Sequence, residues 1–381
     1  MSTLNYILQL QFGDTEIPLT PNIMKIFNIT QDLNRFVPSC RIRLEDSSDT
    51  LSHVVPFDSR MNKIHLQCRR HIESMTYNAY DFDVYRRFPE DGYYDISCLY
   101  SLPKLFTPDR TRGFSGSVSA TIQTIADEIG VDDTEISASL DYDKTLIQPT
   151  MSNAAFLDYL KTNVAGNNGE SSWYCFVKIV DAKSVLVFKP INELTAAVPT
   201  YKFIVADKAV EEYLPIFTYK IYDNYKVLNI LGSSQQSYSY FDYDLGTVIS
   251  SSIDISDYNS LTDYYLIDSS DSESVGLSGL GRTTDFTDDY VGVAKGSFYT
   301  RVTSLVKIMI VTIGIVNVAP GEIASIIFGK GIQSGNMIDY QYSGKWLIEK
   351  VVHAYRNAHY TYLTLTRNGV DTTLDTALLG A

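Results

Sequence analysis

Four cysteines and five histidines are the side chains of this 381-residue chain best suited to nucleophilic or metal chemistry. A cysteine attacks or ligates as its thiolate, which needs an accessible, electropositive setting. Period-two alternation tests each one. In CRIRLE, Cys40 shares a face with Ile42 and Leu44, and in KIHLQCR, Cys68 shares one with Ile64 and Leu66. In YDISCLY, Cys98 falls in a row with Tyr94, Ile96 and Tyr100, and in WYCFVKI, Cys175 falls with Trp173, Val177 and Ile179. All four therefore read as small buried hydrophobes. His65, Cys68 and His71 have a metal-like spacing, yet a strand turns 65 and 71 to one side and 68 to the other, so three ligands cannot converge. His353 and His359 flank a hairpin tip with no Cys or carboxylate cluster and read as solvated turn residues.

Other catalytic templates fail on spacing. Gly329-Lys330-Gly331 lacks the Ser or Thr after Lys and the upstream Gly of a phosphate loop. Gly276, Gly279 and Gly281 lie in an acidic stretch rather than between a strand and a helix. Asp242-Tyr-Asp244-Leu-Gly246 begins like a calcium loop, but its Gly is one place early and the twelfth position is Ile253. There is no nucleophile elbow and no His-Glu-x-x-His. Asp285, Asp288 and Asp289 could supply a carboxylate pair for glycosidic chemistry, although adjacent Asp residues mean little in so acidic a stretch. Asn28-Ile-Thr30 is a glycosylation sequon that matters only in a secretory protein. No residue is assigned as catalytic, cofactor-binding or metal-ligating, and the expectation is a protein that is not an enzyme.

The elements that would position any site are mostly strands. The chain is 45% hydrophobic and 20% charged, enough to bury a sizeable core, and it carries 28 Tyr against 17 Phe and 2 Trp. Its net charge of −14 argues against a nucleic-acid binder that needs a basic face. MSTLNYILQLQFGDTEI has no basic or long apolar region and does not read as a secretory signal. Ile308–Ala319 is too short for a membrane helix and is β-branched, so it reads as a buried strand. Four cysteines in this length do not make a disulfide framework.

The pattern divides the chain into blocks. Residues 1–113 are strand after strand, with a hairpin across Pro89-Glu90-Asp91-Gly92. Near Gly113 the character changes. Ser117 opens a helix whose Ile122, Ile125, Ala126 and Ile129 form a stripe before Gly130 stops it. After a loop over Asp132–Thr150, Ser152-Asn153 opens a second helix with Phe156, Leu157, Leu160 and Val164 as its stripe and Gly166 as its end. Strands Trp173–Val180 and Ser184–Phe188 follow, and Tyr213–Leu231 returns to strand pattern. Residues 236–290 hold eleven acidic residues and one basic residue, Arg282, a local charge of −10, and read as a solvated, loop-rich insertion. The sharper reading of that stretch is an acidic surface that repels DNA or meets a basic partner. Val302–Val318 then reads as a long strand, Pro320-Gly321 as a turn, and Trp346–Tyr355 with Tyr360–Thr366 as a hairpin. That closing hairpin echoes residues 82–101 and hints at duplicated β domains. Along it, Trp346, Ile348, Lys350, Val352 and Ala354 fall in one row and Leu347, Glu349, Val351, His353 and Tyr355 in the other. Both rows mix apolar and polar residues, which suggests one face on the core and the other on a neighbouring subunit.

Three stretches carry a family resemblance: SVSATIQTIADEIGVDD (117–133), SNAAFLDYLKTNVAG (152–166) with WYCFVKI (173–179), and VAPGEIASIIF (318–328) followed by GKWLIEKVVHAYRNAHYTYLTLTRNG (344–369). Their order resembles the baseplate hub proteins of contractile-tail bacteriophages, a family that includes the hub part of VgrG-type spikes and late-control tail proteins. The resemblance implies an α+β, mainly β fold with two similar β-barrel tube domains and an inserted α/β domain. The expected division is 1–113 for the first barrel and 216–232 with 297–370 for the second. The insert takes 114–215 with 233–296, placed on the outside of a ring, and 371–381 is a tail. The resemblance further implies a homotrimer whose six barrels form a pseudo-hexameric ring passing DNA, with no catalytic residues. Its implied partners are a spike below, a tail tube or tube-initiator protein above, and tape-measure and wedge proteins nearby. It implies no cofactor, no sequence-specific nucleic-acid binding and no membrane, in a virion part assembled in the host cytoplasm. The alternatives are a tail-associated carbohydrate- or peptidoglycan-degrading enzyme working through residues 236–290, and a surface-binding adhesin.

Overall fold

The computed structural model describes residues 9–12, 15–18, 24–46, 63–69, 77–107, 111–139, 145–162, 164, 172–205, 212–223, 235–242, 246–254, 275–277, 305–330, 337–338, 342–355 and 358–367. The first block holds β1 (Gln9–Phe12), β2 (Thr15–Pro18), β3 (Met24–Asp32), β4 (Ser39–Glu45), β5 (Lys63–Arg69), β6 (Tyr77–Glu90) and β7 (Tyr93–Tyr100). The insert holds β8 (Arg112–Ser115), α1 (Val118–Ile129), β9 (Asp133–Ile136), β10 (Thr145–Gln148), α2 (Asn153–Thr162), β11 (Trp173–Val180), β12 (Lys183–Pro190) and α3 (Ile191–Ala196). The rest comprises β13 (Tyr201–Val205), β14 (Leu214–Asp223), β15 (Gln235–Asp242), β16 (Thr247–Asp254), β17 (Val275–Leu277), β18 (Val306–Ile313), β19 (Ile323–Lys330), β20 (Met337–Ile338), β21 (Gly344–Tyr355) and β22 (His359–Arg367). Among the described residues no helix is long and apolar enough to cross a membrane.

Six strands, in the order β21-β22-β18-β14-β13-β19, close into a barrel because β19 also pairs with β21. Tyr201–Val205, which the sequence pattern leaves with the insert, is a stave of this barrel and pairs parallel with both β14 and β19. Five residues carry too little alternation to announce their partners. The first block runs β2-β1-β5-β6-β7-β4-β3 and joins the barrel where β3 pairs with β21, so one sheet spans both.

The two blocks share a strand order. Reading β5-β6-β7-β4-β3 against β19-β21-β22-β18-β14 matches every strand in chain order, and all pairings in both runs are antiparallel. The register irregularities match too. An extra residue sits in β3 at Lys25 and in β14 at Phe217. Another sits in β6 at Tyr85 and in β21 at Glu349. A bulge bends and twists a strand locally, so bulges in corresponding strands impose the same shape on both blocks.

The insert is an α/β unit. Ser117 caps α1 by accepting from the Ala120 N–H at 3.2 Å, and Gly130 ends it in the left-handed conformation that lacks a Cβ penalty. The expected loop over 132–150 contains β9, parallel to β12, and β10, antiparallel to β8. Four-residue strands are too short to register as alternation. The sheet β11-β12-β9 is covered on both faces. Cys175, Val177, Ile179, Leu186 and Phe188 join the core of α1, α2 and the first block, while Phe176, Val185 and Val187 join the barrel core. Burial on both sides explains the unbroken apolar runs of these strands.

Two more expectations change. β18 ends at Ile313, five residues before Val318. A Cβ on Gly314 would stand 2.2 Å from His359 Nδ1, so the chain presses against that ring and then turns away. In the acidic stretch, β15 and β16 form a hairpin with β17 beside it, whereas the sequence reading expects loops. Among its Ser, Gln and Asp, Tyr238, Tyr240, Phe241, Thr247, Val248, Ile249 and Ile253 are of the types that favour strands.

Candidate assembly surface

The seam between the blocks is the organising feature. Asn28, Ile29, Thr30, Gln31 and Asp32 of β3 pair with Ala354, His353, Val352, Val351 and Lys350 of β21. The Leu33 N–H donates to the Glu349 carbonyl at 2.9 Å and extends the ladder by one pair. Glu349, the bulged residue, turns its carboxylate to the seam. Lys307 Nζ lies 2.8 Å from it, and Asn34 Nδ2 donates to it at 3.1 Å. The bulge also explains the mixed rows of the closing hairpin. Trp346, Leu347 and Ile348 are buried before it, and Val351, His353 and Tyr355 after it. One extra residue shifts the parity, so the same side faces the core throughout. The mixed rows therefore follow from the bulge within one chain and need no neighbouring subunit to account for them.

Buried amides fix the blocks to the insert. Asn78 of β6, fully buried, donates to the Val316 carbonyl at 2.7 Å and accepts from the Ala182 N–H at 3.0 Å. It therefore touches the first block, the barrel and the insert at once. Gln31 of β3 accepts from the Ile179 N–H at 2.8 Å. Buried polar groups cost stability unless paired, so these bonds select one arrangement of the three parts.

Around the seam lie partly open edges. β6 pairs with β5 only up to Asp83, and its continuation, residues 84–90, has β7 on one side. β14 pairs with β13 only at Leu214 and Pro215 and has β18 on its other side. Among the described residues the remaining edge of each strand is unpaired. Large apolar side chains concentrate there: Tyr85 and Phe88 on β6, and Phe217, Tyr219 and Tyr222 on β14, are exposed. Beside β6, a cleft of 310 Å³ is lined by Arg41, Arg86, Phe88, Asp95 and Ser97. Arg43 Nε and a terminal nitrogen each donate to Asp95 at 2.7 Å, and this bidentate pair holds the Asp95 carboxyl below its usual range. The cleft holds one carboxylate, Asp95, already engaged by Arg43, and one hydroxyl, Ser97.

The residues tested in the sequence fall as follows. Cys40, Cys68, Cys98 and Cys175 are free thiols and buried. Burial raises all four, Cys68 and Cys175 to about 12, so none forms a thiolate readily. His65 stands 2.7 Å from Asp81 on the face opposite Cys68, and His71 lies outside the described residues. Among the described residues no three His, Cys, Asp or Glu side chains gather as a metal site requires. His353 is a correction: it is 1% exposed, with Nδ1 3.2 Å from His359 Nε2, and burial pushes it down to about 4. The phase shift at Glu349 carries it into the core. Asp242 and Gly246 belong to the β15–β16 turn, with Asp242 opposite Thr247 and Gly246 at φ +63°. Asn28 and Thr30 lie within β3 at the seam. Lys330 ends β19. Gly276 lies in β17, while Gly279, Gly281, Asp285, Asp288 and Asp289 lie outside the described residues. The open edges went unnoticed in the sequence. The available signal was the cluster of aromatic residues on strands that also carry charges.

No protein-family model matches the sequence, and no curated protein matches it. Solved structures do share the fold. The 43 kDa tail protein of prophage MuSo2 from Shewanella oneidensis superposes with a TM-score of 0.57 at 8% identity, over 97% of this chain and 100% of that one. The tail protein from Neisseria meningitidis MC58 superposes with a TM-score of 0.55 at 10% identity, over 96% of this chain and 98% of that one. The chain thus shares the fold of these two tail proteins along nearly its whole length.

Proposed function

We propose that this chain is the structural baseplate hub of a contractile tail. In this reading three copies form a ring of six similar β blocks, which joins the tail tube to the central spike and lets DNA pass. The observation that carries the reading is the duplicated strand order with its matched bulges, because a ring of six-fold character from three chains needs two units of like shape in each. The fold shared with the two tail proteins supports a place in a tail. In the assembled ring the insert lies on the outer side, where the acidic stretch meets solvent. The protein acts without catalysis, as a coupling piece between tube and spike, and its partners are those two components with the neighbouring tape-measure and wedge proteins.

Mass in solution tests this. A trimer of 42.8 kDa chains, persisting across the micromolar range in sedimentation or native mass spectrometry, is the expected outcome. A protein that stays monomeric, or stops at a dimer, refutes the ring. Clearing of cell-wall suspensions by the purified protein would overturn the non-catalytic reading.

A further inference from the structure

One chain contains one copy of a joint that its duplication makes twice possible. The seam joins β3, which matches β14, to β21, which matches β6. Swapping the blocks gives the counterpart joint, between β14 and β6. Both of these strands leave an edge unpaired among the described residues, and the open lengths correspond to those used at the seam. Within one chain β14 and β6 do not pair.

The geometry points to a second copy of this chain as the occupant of each open edge. β14 of one subunit pairs antiparallel with β6 of the next, and the joint repeats the internal seam. This rests on the ring reading and names its contact.

The register follows from the bulges. Placing Lys25 on Phe217 and Glu349 on Tyr85 superposes the matched strands. The same offset follows from where β5 and β19 end their pairing, at Asp83 and Leu347. The seam pairs Asn28–Ala354, Thr30–Val352 and Gln31–Val351 then become Lys220–Glu90, Tyr222–Phe88 and Asp223–Arg87. That register was fixed by backbone alone, yet it sets one pair of opposite charges, Lys220 and Glu90, and one aromatic pair, Tyr222 and Phe88, at facing positions. Cross-strand pairs of those kinds stabilise antiparallel sheets. Phe88 is 51% exposed and Tyr222 is 38% exposed in the single chain, and the joint would cover both.

Pro89 constrains the joint. It matches His353, which faces Ile29 in the seam, and the ladder bond from Leu33 to Glu349 makes that pair a hydrogen-bonded one. Pro89 offers a carbonyl there but no N–H, so the joint has one bond fewer than the seam. An edge is where a strand tolerates proline. The shortfall keeps β6 from pairing with arbitrary strands, leaving side-chain complementarity to select the partner.

The test uses the full chain with Phe88→Cys and Tyr222→Cys combined. These positions match a non-hydrogen-bonded pair, whose close Cα atoms suit a disulfide. The four native cysteines are buried and stay silent. Mild oxidation should yield covalent dimers and trimers on a non-reducing gel. Each single variant, and Phe88→Cys with the out-of-register Tyr219→Cys, should yield less than a tenth as much. Charge reversal gives an independent reading: Glu90→Lys or Lys220→Glu alone should weaken assembly at least severalfold, and the two together should restore it. A wild type that forms trimers while the in-register pair fails to cross-link overturns this joint and leaves the ring standing. A wild type that never assembles overturns both.

Discussion

Truncating Trp346 to Ala should be among the most damaging single changes in the barrel. The indole is fully buried, its N–H donates to the Tyr342 carbonyl at 3.1 Å, and the Arg367 guanidinium lies over its face at 4.2 Å. Arg367 is itself fully buried and donates to the Ser343 carbonyl at 3.1 Å. Removing a buried Trp costs about 3–5 kcal/mol in lost transfer energy and cavity. The stacked cation adds up to about 2 kcal/mol when desolvated, because the guanidinium loses the surface that shields it. A loss of about 5 kcal/mol is expected, a large part of the 5–15 kcal/mol typical of a domain. Urea titration of the variant beside wild type measures it. Trp346→Phe keeps a ring face for Arg367 and loses the N–H bond, so it should fall about 1–2 kcal/mol short of wild type. Val198→Ala, at an 81% exposed site, serves as the neutral comparison. If Trp346→Ala costs under about 1 kcal/mol, the indole does not support the barrel and the packing argument fails.

Burial holds His353 at about 4, below the 6.5 of an unfolded histidine, so the unfolded chain takes up the proton first and stability falls as pH drops from 6.5 towards 4. Between pH 6.5 and 5 this histidine should cost about 2 kcal/mol, and His353→Gln should flatten that part of the urea-midpoint profile; an unchanged profile would mean the ring is hydrated. Asn78→Ala strands the Val316 carbonyl and the Ala182 N–H, and should lose about 2–4 kcal/mol in the same titration, with faster amide exchange at residues 181–183 and 315–317. Loss without local exchange would show that Asn78 does not join the three parts.

What could be read from the sequence depended on how local the physics was. α1 was legible because Ser117, its apolar stripe and Gly130 all lie within one 14-residue window. Cys40, Cys68 and Cys98 were legible because their strands alternate around them, and Cys175 because its strand is apolar on both faces. The hairpin at Asp91-Gly92 announces its own turn, with Gly92 at φ +73°. Failures began where one residue changed the phase. Glu349 adds a single position to β21, and beyond it Val351, His353 and Tyr355 form the buried row, so His353 lies in the core although its place near a hairpin tip suggests solvent. Nothing in the string marks that bulge, since its cause is the fit of β21 to β22 and β3 together. β13 fails for the same reason from the other direction: its place depends on β14 and on β19, whose Ser325 pairs with Lys202 from 123 residues away.

The duplication shows the limit most sharply. Residues 82–101 and 348–367 share little beyond a strand, a turn and a strand, because sheet geometry asks for register and leaves most side chains free. Tyr85 and Glu349 occupy the same bulge with unrelated chemistry: one is 63% exposed at an open edge, the other is tied to Lys307 and Asn34 at a closed one. Each residue fits what its edge meets. In the proposed ring, the two copies of the fold would stand at different joints, one inside the chain and one between chains, and would have reason to diverge in sequence there while keeping the bulges that shape them. That divergence is why the repeat is faint as a string and plain as a topology. In that ring the exposed Phe88 and Tyr222 would stand where the internal seam has Val352 and Thr30, and larger side chains suit a joint made by association, which must recover the entropy of bringing two molecules together that the covalent seam never loses.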